Sequence, residues 1–338
     1  MAESDNRKAA VKKLKLLAYV SKLNISVFRK KIEDAFYTPI LPNNVERVEH
    51  NYGGVKCDVL SPELYSSKRV MFYIHGGSFV GGSRASYRAF CSVLANRTFS
   101  RVVVPEYRLA PTYAFPAAIE DVQASFRALF TEEQIARSLD ARIDEDGNKQ
   151  EDFPEFIIAA DGAGASIAVA FLLNLRERYR KCIKKVILLS PWLNLSPNSP
   201  LFAQKKVQDE VISKEVLQQS ADVYTYTSNL ENPLVSPLLA SPEQLLDFPP
   251  TYIQVGGKEI LVDDAKEFNS ILHACNVESK LDVFPDMMHL FQLAEGLLEA
   301  SHDALYKIAA QVTSDDEAFG RQIYENKPKL EQSLKSES

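Results

Sequence analysis

The sequence predicts an α/β protein: a mostly parallel central sheet with helices on both faces and a helical lid. Three observations predict it. Short apolar runs alternate with amphipathic segments along most of the chain, as in a sheet whose strands are buried on both sides. One run, Phe156 to Ala160, enters a Gly-rich turn and continues as an Ala-rich segment, Ala165 to Leu175. Residues 198–230 then interrupt the alternation with a polar, helix-patterned insertion between two core strands.

The chain of 338 residues is long enough for one core with insertions. Its net charge of −6 leaves no basic surplus to neutralise phosphates, which argues against nucleic acid as the main partner. Cys57, Cys91, Cys182 and Cys275 are scattered with no CxxC pair, as expected of free thiols in a reducing compartment. No histidine sits at ligand spacing from a cysteine, so a zinc site is not expected; no other metal or cofactor is expected either. The start, Met-Ala-Glu-Ser-Asp-Asn-Arg-Lys, has no apolar signal region, and no apolar run approaches ~18 residues. A cytoplasmic protein without a membrane span is expected.

In chain order, residues 1–45 form N-terminal helices that belong to the lid. Val11, Leu14, Leu17, Ala18, Leu23, Val27, Phe28 and Ile32 recur at helical spacing between basic residues, with a break near Asn24. Packing on the body is expected in preference to a membrane-facing basic surface. Residues 46–197 are the first part of the core. They open with a hairpin over 46–60 turning at Gly53-Gly54 and strands at 69–74 and 101–106. A helix over 118–130 and a strand over 156–160 follow, then a helix over 164–179 and a strand over 184–189. Residues 231–312 complete the core with strands at 251–255 and 280–284 and helices at 263–275 and 293–312. Residues 138–153 are acidic, but Arg142 and Phe153 occupy the outer ligand positions of a calcium loop, so a solvated loop is expected. The charged tail, 313–338, reads as a frayed helix or disorder.

Chemistry gathers at strand ends. A strand, a tight turn and a helix around Asp161-Gly162-Ala163-Gly164 have the outline of a nucleophile elbow, flanked by the small residues Ala160 and Gly164. The apex is Gly162, where a hydroxyl would be needed. His75-Gly76-Gly77 follows a strand, and its glycines could direct backbone N–H groups at an oxyanion. Glu259 and then His289 each sit just past a late strand, the chain order of acid and base after an elbow. Phe79, Tyr87, Tyr107 and Trp192 are the expected pocket walls. Ser166, one helical turn beyond Gly162, should be buried in its helix and out of reach of His289.

These stretches carry a family resemblance. YIHGGSFVGGS (73–83), PEYRLAPTYAFPAAIEDV (105–122), SPWLNL (190–195), NPLVSPLLA (232–240), VGGKEILVDDA (255–265) and the His289 segment closely resemble the hormone-sensitive-lipase-like carboxylesterases of the α/β-hydrolase superfamily, over roughly residues 50–312. The resemblance implies an α/β-hydrolase fold and action on carboxylic esters. It implies that Gly76, Gly77 and the Ala163 N–H bind the oxyanion, that Glu259 is the acidic triad member and that His289 is the general base. It places Gly162 where the family has its serine. The family's Gly-Asp-Ser-Ala-Gly-Gly reads Ala160-Asp161-Gly162-Ala163-Gly164-Ala165 here, Asn194 replaces a usual Asp, and Glu259 stands where Asp is commoner.

Without a hydroxyl at 162 no acyl-enzyme forms there. The expected ligand is a small apolar ester, with serine-type catalysis lost or very weak. Residual hydrolysis by a water activated by His289 is one variant of this reading. The alternatives are a non-catalytic small-ligand receptor or interaction protein, and an esterase whose nucleophile has been engineered away.

Overall fold

The computed structural model describes residues 2–20, 22, 24–38, 41, 44–66, 68–140, 153–204 and 209–313. Eight strands form one sheet: β1 (Val45–Tyr52), β2 (Val55–Pro62), β3 (Arg69–Ile74), β4 (Arg101–Pro105), β5 (Glu155–Asp161), β6 (Ile183–Leu189), β7 (Thr251–Gly256) and β8 (Ser279–Phe284). Their order is β1-β2-β4-β3-β5-β6-β7-β8. The expected hairpin joins β1 to β2 at Gly53-Gly54, and β2 runs antiparallel to both neighbours. All other pairings are parallel.

β3 and β7 are buried along their whole length, and β5 at all but its first residue. Strands of this kind need cover on both faces. The cover comes from α3 (Arg84–Thr98) packed with α10 (Glu299–Thr313), from α4 (Ala117–Asp140) with α5 (Gly162–Leu173), and from α9 (Val262–Ala274) on β7 and β8. Register brings the carboxyl ends of the strands level: Ile74 pairs with Ala160, Asp161 with Leu189, and Gly256 with Phe284. Functional loops therefore leave the sheet along one edge, where open α/β sheets bind ligands.

The N-terminal segment forms α1 (Ala2–Leu14) and α2 (Ile25–Phe36). Asn24 makes the break, accepting the Ser26 N–H as the cap of α2. Leu14, Leu17, Ala18, Phe28 and Ile32 are buried, so these helices pack on the body. The 198–230 insertion contributes α7 (Pro200–Ala203) and α8 (Lys214–Tyr224).

Some expected helices end elsewhere. The 164–179 pattern splits into α5 and α6 (Glu177–Arg180), because Asn174 leaves the helical region (φ −92°, ψ 0°) and Arg176 is extended (ψ 144°). The helix expected from 293 starts at Glu299, after a 3₁₀ turn at Phe291–Leu293 and a left-handed Gly296. The helix expected over 118–130 continues to Asp140. Residues 141–152 of the acidic loop and the tail from 314 lie outside the described residues. Among the described residues no helix is long and apolar enough to cross a membrane.

Phe126 is a hub of the core. Its ring meets Phe72 at 5.6 Å, Phe156 at 5.0 Å, Phe171 at 5.1 Å and Tyr179 at 6.4 Å, all near edge-to-face, the favoured geometry for aromatic pairs. It ties α4 to β3, β5 and α5. Phe126→Ala is expected to lower unfolding free energy by about 3–5 kcal/mol, read as a fall in urea midpoint. A loss below about 1 kcal/mol would remove Phe126 from that role.

Candidate active site

The site is built on the end of β5. Asp161 is its last residue, and Gly162 opens α5 in the left-handed region at φ +49°. Glycine adopts that conformation without the steric cost a Cβ brings. A Cβ at 162 would lie 3.7 Å from His289 Nε2 and 3.8 Å from Leu290 Cδ1. Those are ordinary contacts. A side chain at the apex would fit and would project at the imidazole.

His289 and Glu259 meet as the chain order suggests, with Nδ1 3.1 Å from Oε2. Glu259 Oε1 accepts the Ser190 hydroxyl at 2.6 Å and the Gly256 N–H at 2.5 Å. Ser190 Oγ in turn accepts the Leu290 N–H at 3.1 Å. Ser190 thus ties the acid to the loop that carries the base, a role not foreseen from the sequence. The only available signal was its place just after β6 in Ser190-Pro191-Trp192. Burial pushes the Glu259 carboxyl above its ordinary value, against the bonds from Ser190 and Gly256. Burial also holds His289 below its ordinary value, against the fields of Asp209 and Asp161. The imidazole is therefore held neutral, the form a general base requires.

The oxyanion loop departs from expectation at one glycine. The Gly76 N–H donates to Asp161 Oδ1 at 2.9 Å and is turned away from the cavity. A Cβ at 76 would fall 2.4 Å from Asp161 Oδ2, so only glycine allows this approach. Gly77, Ser78, Gly162 and Ala163 line the cavity instead, facing His289. The backbone N–H groups of Gly77, Ser78 and Ala163 have no protein acceptor among the described residues. The donor set supported by geometry is Gly77, Ser78 and Ala163. Adjacency in His75-Gly76-Gly77 could not reveal this, because Asp161 decides which N–H is already taken.

The cavity is small, about 20 Å³, and is closed by Leu14, Leu17, Val211, Ile212 and Leu217. Of the four aromatics expected as walls, Trp192 lines it. Phe79 stacks on Tyr224 at 3.9 Å and leans on Trp192 at 5.4 Å, one layer back. Tyr87 gives its hydroxyl to Asp161 Oδ2 at 2.8 Å, and Tyr107 gives its own to the His75 carbonyl at 2.5 Å. Buried hydroxyls need partners, and these bonds aim both rings away from the cavity. Ser166 is buried with its hydroxyl donated to the Trp192 carbonyl, so it is unavailable to His289.

Strand order, the glycine apex and the carboxylate–imidazole pair define an α/β hydrolase. The profile of a family described as having the alpha/beta hydrolase fold matches residues 71–293. An esterase of Acinetobacter venetianus is 32% identical over 265 residues, spanning 78% of this chain and 80% of that protein. An acetyl-hydrolase of Streptomyces hygroscopicus is 29% identical, over 70% of this chain and 73% of its own length. The crystal structure of an esterase from the bacterial hormone-sensitive lipase family superposes with a TM-score of 0.78 at 27% identity, covering 96% of this chain and all of that one. The chain belongs to the hormone-sensitive-lipase-like carboxylesterases.

Two outcomes follow from this geometry. Gly162→Ser places a Cβ at a left-handed position and should lower unfolding free energy by about 1–2 kcal/mol; unchanged stability would mean the turn is not held left-handed. His75, stacked between Tyr87 and Tyr107, is pulled down by burial from 6.5 to about 4. The unfolded chain takes up this proton below about 6.5 and the folded chain only near 4, so stability should fall as pH drops through that window. Urea unfolding across it should show a shallower fall for His75→Gln. An equal slope in both proteins would contradict the assignment.

Proposed function

We propose that this chain binds small apolar carboxylic esters, or ligands of that shape, between His289 and the Gly77–Ser78 and Ala163 N–H groups, and that serine-type hydrolysis is lost or very weak. One observation carries the reading: a Cβ at 162 would sit 3.7 Å from His289 Nε2. The acid, the base and the oxyanion donors are arranged around a position that lacks only its hydroxyl. Relatives named as an esterase and an acetyl-hydrolase favour an ester as ligand.

An ester carbonyl oxygen would take the three free N–H groups, and its acyl and alcohol parts would lie along Trp192 and the apolar closing residues. About 20 Å³ holds roughly one water, whereas ligand pockets run from about 300 Å³ upward. Residues 1–45 and 198–230 are accordingly proposed as a lid that moves to admit the ligand. Arg7 bonds Glu210 of the insertion and the Asp286 carbonyl of the core. Asp209 accepts the Ile260 N–H at 3.1 Å, beside Glu259. Both ties would have to yield.

The same small space beside His289 supports a second, weaker activity. A water there could replace the missing hydroxyl, with His289 as base. A triad stripped of a member keeps about 10³–10⁴-fold over water from its oxyanion hole and binding alone.

The test is hydrolysis of p-nitrophenyl acetate and butyrate by the unmodified chain and by Gly162→Ser, side by side. Removing the nucleophile from an intact triad costs about 10⁶ in kcat, so the serine variant should be faster by at least about a thousandfold. Any part of the unmodified chain's residual activity that uses His289 as base should disappear in His289→Ala, leaving what the oxyanion donors and binding alone supply. If the serine variant stays inactive, and no ester analogue raises the melting temperature, both the esterase site and the ligand-receptor reading of this cavity fail.

A further inference from the structure

A second concavity is lined in part by Tyr87. It is a groove of about 580 Å³ bounded by the end of α1, the end of α2, α3 and the turn after His289. Its walls are largely apolar, with Phe36, Leu41, Phe90, Val93 and Leu293 among them. It shares no lining residue with the cavity at Gly162. Tyr87 lines the groove while its hydroxyl bonds Asp161, the residue before the Gly162 apex.

Two charged residues border this groove, and they are not equivalent. Glu295 is occupied, accepting the Arg97 guanidinium at 2.9 Å. Lys13 is half-buried, and its ammonium stands 4.9 Å from the Phe36 ring. No carboxylate lies within ion-pair distance of it among the described residues. Burial lowers its pKa, the mark of a cation short of solvation. An anion at that point would restore what the ammonium has lost, and an apolar body would fill the groove, whose volume falls within the range of small-molecule sites.

We infer that this groove binds an amphipathic carboxylate, with Lys13 holding the head group and the apolar walls taking the chain. One ammonium, with no arginine among the described residues that line the groove, suits a monoanion; a phosphate dianion would also face Glu295. The inference does not depend on the ester reading, since none of its residues belongs to the Gly162 cavity.

Decanoate and decanol, below their aggregation limits, test it by isothermal titration on the full chain and on Lys13→Met, Lys13→Arg, Ala89→Trp and Leu217→Trp. Ala89 is half-exposed on the groove wall, and Leu217 closes the other cavity. The inference expects saturable one-to-one binding of decanoate, weakened about tenfold in Lys13→Met, restored in Lys13→Arg and abolished in Ala89→Trp. Decanol should be indifferent to Lys13→Met. Absence of saturable binding overturns it, as does equal decanoate affinity in Lys13→Met. So does loss of binding in Leu217→Trp with retention in Ala89→Trp, which would assign the ligand to the Gly162 cavity.

Discussion

One buried carboxyl, Asp161, organises the edge of the sheet that carries the candidate site. It accepts the hydroxyls of Tyr73 and Tyr87, each at 2.8 Å, and the Gly76 N–H at 2.9 Å. Those donors come from β3, α3 and the loop after β3, while Asp161 itself ends β5 one residue before the apex. Among the described residues no cation lies within ion-pair distance of it. Burial raises its pKa to about 6, and the three donors oppose that rise. Neutral donors thus offset part of the desolvation that would otherwise expel the charge. Because Gly76 is fixed on Asp161, the next two N–H groups are left to face the cavity.

Backbone strain collects at the same place. Ser78, Phe79, Ser190 and Leu290 are non-glycine residues at positive φ, and Gly162 joins them. Each such residue costs on the order of 1–2 kcal/mol relative to a relaxed conformation. Ser78 faces the cavity, Ser190 holds Glu259, and Leu290 follows the base. The packed strands around them over-determine these conformations. A fold that holds this strain holds a shaped pocket, although the apex is the one residue type for which the left-handed conformation is free of penalty.

Much of this was legible in the sequence, for a physical reason. Parallel strands level their carboxyl ends, so a residue just past a strand is placed by the strand itself. That is why Gly162, Glu259 and His289 could be read as neighbours although far apart in sequence. The strand–helix alternation and the Gly53-Gly54 hairpin were equally direct. What was not legible depends on side-chain direction and on partners chosen in three dimensions. The engagement of Gly76 by Asp161, the bridge made by Ser190, and the turning of Tyr87 and Tyr107 toward buried acceptors all belong to this class. The break after α5 was also hidden, because Asn174-Leu175-Arg176 contains neither proline nor glycine.

The central claim is that position 162 faces a working acid–base pair and lacks only a hydroxyl. Intact-mass analysis after exposure to a phosphonyl fluoride tests it most directly, since covalent capture requires an activated nucleophile at that point and no turnover. The account predicts a single adduct on residue 162 of Gly162→Ser, lost when His289→Ala is added, and none on the unmodified chain. An unlabelled Gly162→Ser, or an adduct on Ser166 of the unmodified chain, would contradict it.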